Sequence, residues 1–102
     1  MPLGVAGATT GTTTTVTSSL NPSSYGTSIM FTATVRPTVP NNEVVMFYSN
    51  GTSLGTGRTS GGVATYATTT LAVGSENITA TYAGDANYTR STSSALIIFA
   101  EG

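Results

Sequence analysis

Residues 28–35 read SIMFTATV, and that stretch decides the fold class. Ile29, Phe31, Ala33 and Val35 fall on one side of a two-residue period, and Ser28, Met30, Thr32 and Thr34 on the other. Successive side chains of a strand point to opposite faces of its sheet, so this alternation predicts a strand buried on one face and wet on the other. Pro37 and Pro40 bound it downstream, since proline has no N–H to give a central ladder. Upstream, Asn21-Pro22-Ser23-Ser24-Tyr25-Gly26 is dense in turn formers and predicts a break in pairing.

Working outward, the same kind of signal recurs about every eight to twelve residues, the spacing of a sandwich or barrel. Residues 12–18 form a Thr-rich strand around Val16, and residues 43–49 form another, closed by the hairpin dipeptide Asn50-Gly51. Residues 52–59 return, weakened by Gly55 and Gly57, which predicts an edge position or a bulge. Gly61-Gly62 turns into a strand over 63–68. A corner at 71–74 leads into a strand over 76–82, with Ile78, Ala80 and Tyr82 inward. Gly84-Asp85-Ala86-Asn87 turns again, and residues 91–100 make the last strand. No useful helical period and no internal repeat appears. The prediction is an all-β antiparallel sandwich of about seven strands, with Phe31, Val45, Phe47, Tyr66, Ile78, Tyr82, Leu96 and Ile98 filling one core.

Composition fits one small domain of 102 residues and excludes several functions. Charged residues make up only 7%, against roughly 25% in an average soluble domain, and 22 Thr and 12 Ser fill the gap. Threonine is β-branched and suits a half-wet pleated surface. The net charge is −1, Lys is absent, and Arg36, Arg58 and Arg90 are scattered, so no basic patch exists for nucleic acid. With no His and no Cys, zinc sites, disulfides, thiol nucleophiles and imidazole bases are impossible. No cofactor is expected. No apolar run of about 18 residues spans a membrane. Residues 1–11 read as a leader or linker and 101–102 as a tail, leaving 12–100 as the domain. The low charge and abundance of Thr, Ser and Gly suggest an extracellular or bacterial cell-surface setting.

The ordered set of motifs resembles the bacterial immunoglobulin-like repeat domains of the group 3 type (the Big family). Thr12-Thr-Thr-Thr-Val16-Thr-Ser-Ser is similar to the family's opening strand, followed by Pro22, Gly26 and the Ile29 to Val35 alternation. Val45-Met-Phe47-Tyr48, the pair Leu54-Gly55, and Gly62-Val-Ala64-Thr-Tyr66 come next. Leu71-Ala-Val-Gly74 and Ile78-Thr-Ala80-Thr-Tyr82-Ala-Gly84-Asp85-Ala-Asn87-Tyr88 close the pattern. The likeness covers residues 12–100. It implies an immunoglobulin-like sandwich and a non-catalytic spacer or adhesive module in a long secreted or surface protein, with neighbouring domains of the parent chain as partners. It implies no universal ligand.

Four candidates follow from the residues themselves. Asp85 and Asn87 read either as a turn in which Asp85 caps local amides or as the weak start of a calcium site. A catalytic pair would need two of Glu43, Glu76, Asp85 and Glu101 to converge, and nothing local supplies a cleft. Tyr25 and Tyr88 read as packed turn residues, with binding contacts as the alternative. The fourth is a face. If Val45 and Phe47 point inward, Val44, Met46 and Tyr48 point out; if Leu96 and Ile98 point inward, Ile97 and Phe99 point out. In an immunoglobulin topology these strands flank a common neighbour, so Val44, Met46, Tyr48, Ile97 and Phe99 are expected to share an outer, apolar interaction face. A weak homodimer is the expected consequence.

Overall fold

The structure, a computed structural model, describes residues 9–69 and 71–101. Those residues carry nine strands and no helix: β1 (Thr13–Ser18), β2 (Ser23–Ser24), β3 (Ile29–Arg36), β4 (Val44–Ser49), β5 (Thr52–Arg58), β6 (Val63–Thr68), β7 (Gly74–Tyr82), β8 (Ser91–Thr92) and β9 (Leu96–Glu101). Three of them make a sheet in the order β1-β3-β6. The larger sheet runs β2-β9-β7-β4-β5, with β8 also on β7. Pairing between strands is antiparallel except for β2 with β9, which is parallel. The immunoglobulin-like β-sandwich expected from the sequence is the fold.

Alternation sets the layers. In β3 Ile29, Phe31, Ala33 and Val35 are buried, and Val45 and Phe47 of β4 face them from the larger sheet. Ile78, Ala80, Tyr82 and Ile98 complete the core, and Tyr66 and Leu96, also expected inside, are only partly buried against it. Phe47 stacks on Tyr66 with ring centroids 5.8 Å apart. The glycines of β5 have a packing reason: a Cβ on Gly55 would sit 2.5 Å from the Tyr66 ring, and one on Gly57 2.5 Å from the Thr65 carbonyl oxygen. β5 is an edge strand and carries a bulge, its register shifting as Phe47 pairs Gly55 but Tyr48 pairs Ser53.

Three local expectations change. The 21–26 stretch is more than a turn, because Ser23 and Ser24 pair with Ala100 and Glu101. The last strand is broken in two: four steps from Thr92 to Leu96 lie opposite three from Thr81 to Ile78, so one residue is extra and the strand bulges. Ser93 turns inward there, its N–H donating to the Ala80 carbonyl at 2.8 Å and its hydroxyl accepting the Ala80 N–H at 2.9 Å. Tyr25 is 59% exposed rather than packed, whereas Tyr88 packs against the core.

The register also fixes two opposite ends. One end carries the β3–β4 connection and the Asp85 turn after β7; the other carries the Asn50-Gly51 turn, the start of β7 and the end of β9. Thr10 forms a parallel bridge with Tyr88 at the Asp85 end, and Glu101 closes β9 at the Asn50 end. Residues 1–8 of the expected leader, and Gly102 of the expected tail, lie outside the described residues.

Candidate functional site

At the Asp85 end the turn is tightly specified. Gly84 has φ +83°, and a side chain there would meet the Arg90 backbone nitrogen at 2.8 Å. Asp85 Oδ1 accepts the Asn87 and Tyr88 N–H groups at 2.6 and 2.8 Å, and its own N–H donates to the Tyr88 carbonyl. This is the local turn chemistry of aspartate. β4 and β7 also bring Glu43 to this corner, where its Oε1 accepts the Tyr82 hydroxyl at 2.5 Å. A side-chain hydrogen bond with Glu43, and then those from the Asn87 and Tyr88 amides, hold Asp85 below the usual carboxylate range. Burial, followed by the bond to Glu43, pushes the Tyr82 phenol well above its ordinary value, so it stays a donor. Sequence reasoning did not join Glu43 to Asp85, because they meet only through the long-range β4–β7 pairing. Among the described residues no three of His, Cys, Asp or Glu group together.

The other carboxylates do not join them. Glu76 is buried in β7 at the opposite end, where its Oε1 accepts the Ser49 hydroxyl at 2.6 Å and the Asn50 amide at 3.1 Å. It borders a cavity of about 270 Å³ lined also by Thr52, Leu54 and Leu71. Glu101 is exposed on β9. The arrangement holds strand ends together; the cavity and the Glu43–Asp85 pair lie at different ends, so among the described residues no pair of carboxylates flanks it.

The outer face of the larger sheet carries all five expected apolar residues, but in two groups. Val44, Met46 and Tyr48 are half-buried on β4, and Tyr48 donates its hydroxyl to Met46 Sδ at 3.4 Å. Ile97 and Phe99 are 48% and 56% exposed on β9. Met46 pairs Thr81 and Tyr48 pairs Thr79, whereas Ile97 pairs Asn77 and Phe99 pairs Ser75. The β4 group therefore lies toward the Asp85 end and the β9 group toward the Asn50 end, with Thr79 and Asn77 between. Exposed Tyr25 and Val73 lie at the same end as the β9 group.

The family model for the bacterial Ig-like domain (group 3) matches residues 15–99, from β1 to β9. Neither a search of curated proteins nor one of solved structures gives a match. With the matched span covering most of the chain and its strands forming the two expected sheets, the chain belongs to the bacterial Ig-like domains of group 3.

Proposed function

We propose that the chain is a non-catalytic spacer module of a larger bacterial secreted or cell-surface protein, holding neighbouring domains of its parent chain apart. One observation carries this reading: the chain enters at the Asp85 end through Thr10 and leaves at the Asn50 end through Glu101. A module threaded end to end adds its full length to whatever it joins. At about 3.3 Å per residue the nine residues of β7 alone give about 30 Å. The family supports the reading, being generally a non-catalytic part of larger and often extracellular proteins. No helix among the described residues is long and apolar enough to cross a membrane. Fusing a donor and an acceptor fluorophore domain to the two ends tests it. Energy transfer should be low and should stay low across salt and temperature until the module melts. High transfer in the folded state would place the ends side by side and contradict the proposal.

The second reading is a binding module, favoured by the exposed aromatic rings of Tyr25 and Phe99 at the Asn50 end. Exposed rings offer stacking area for a sugar or a protein surface. Chemical-shift titration with soluble oligosaccharides would move resonances of residues 25 and 99 first. Shifts elsewhere, or none, contradict it.

A further inference from the structure

The first stretch of the described chain runs alongside the last one, in the same direction and from one end of the molecule to the other. Thr10 donates its N–H to the Asn87 carbonyl at 2.8 Å and accepts the Thr89 N–H at 2.9 Å. Thr12 donates its hydroxyl proton to the Thr89 carbonyl at 2.7 Å and shares a hydroxyl–hydroxyl bond of 2.8 Å with Ser91, while its N–H reaches the Thr89 hydroxyl at 3.1 Å. Thr14 and Ser91 share a hydroxyl–hydroxyl bond of 2.6 Å. Further along, the Asn21 amide bridges two backbone groups of β9, donating to the Ile97 carbonyl at 2.9 Å and accepting the Phe99 N–H at 3.1 Å. β2 then pairs with the end of β9, and the Tyr25 N–H donates to the Glu101 carbonyl at 2.7 Å.

We infer that these contacts form a shear latch that makes the module a load-bearing link. The two segments are parallel, and the chain leaves them in opposite directions, from Thr10 at one end and Glu101 at the other. Tension on the chain ends slides one segment lengthwise past the other. Every bond between them is then strained together, whereas a pull across antiparallel neighbours at one end would open bonds singly. Force passes between the first and last segments with the core between β3 and β7 bypassed. The latch also gives a reason for the hydroxyls at and just before the start of β1. Thr12 and Thr14 are on the side of the small sheet that faces β8, and their side chains supply bonds across the gap between the sheets where no backbone ladder continues. Asn21 does the same where β2 is only two residues long.

The use of such a latch in a parent protein rests on the spacer reading, but the latch itself is measured on the chain alone. The test is force spectroscopy in two pulling geometries. In the first, handles are attached at the two chain ends. In the second they are attached through Thr38→Cys and Ser53→Cys, exposed positions away from the latch and chemically unique because the chain has no native cysteine. The variant combines Thr12→Val, Thr14→Val and Asn21→Ala, which keeps the backbone pairing and removes side-chain bonds. End-to-end, it should unfold at least about tenfold faster than the parent at equal force, because each bond lost is one the transition state must otherwise break. Through the internal thiols, the two should unfold at matching rates within about twofold. An unchanged end-to-end rate overturns the latch, and so does an equal acceleration in both geometries, which would make these side chains supports of the fold alone. Either result leaves the end-to-end fluorophore separation, and with it the spacer reading, untouched.

Discussion

Gly57 shows how closely one residue is held. Its place above the Thr65 carbonyl leaves no room for a methyl group, and backbone cannot swing aside as a flexible side chain can. Gly57→Ala should destabilise the domain by about 1–3 kcal/mol in a urea titration. Gly11→Ala, with nothing near the added carbon, should change stability by less than about 0.5 kcal/mol. At the acidic corner the sign of a pH effect follows from Asp85. Its carboxyl is held below the ordinary value, near 3.9 in an unfolded chain, so its contribution is present above that value and lost as pH falls through the lower folded one. Melting temperature should drop with acid in the native chain and drop less steeply in Asp85→Asn, which keeps an acceptor for the Asn87 and Tyr88 amides. Equal acid slopes would contradict this assignment. Residues whose role depends on a strand's own period were legible in the sequence, as Phe31 and Phe47 show. Glu76 was not: a carboxylate at a strand start reads as surface, and only the distant Asn50 turn explains its burial.

At the scale of elements, hairpins and edges were legible because their turn chemistry is local. Asn50 has φ 52° and Gly51 φ 83°, the paired left-handed values that the dipeptide predicts. The gap between β8 and β9 was not legible, since residues 91–100 read as one continuous run and only their pairing with β7 reveals the extra residue. Ser93 makes that bulge tolerable by giving the buried Ala80 N–H an acceptor that the ladder has lost. Ser93→Ala should cost about 1–3 kcal/mol, the penalty of an unpartnered buried amide, and Ser93→Thr should recover part of it. A null effect of the alanine would mean that the strand slips into regular register once the hydroxyl is gone. β2 was hidden for a related reason. Two serines among turn formers carry no strand signal, and their pairing with β9 exists only because the chain changes sheet after β1.

Across the whole molecule, the apolar outer face and the end-to-end threading make separate predictions. Ile97 and Phe99 leave apolar area uncovered on the outer sheet face, beside the polar Ser75 and Asn77 of β7, and a second copy is the simplest cover. Light scattering at several hundred micromolar should find weak self-association that Met46→Thr with Phe99→Thr abolishes. A strict monomer, unaltered by that change, would show the face to be inert. The half-buried state of Met46 makes Phe99 the more sensitive of the two positions. A module that lengthens a chain shows it in small-angle X-ray scattering of one, two and three copies joined in tandem through short linkers. The maximum dimension should grow by a near-constant step of about 30 Å or more per copy. A maximum dimension that stays almost flat while the cross-section thickens would mean that the copies fold back on one another, and would contradict the spacer role.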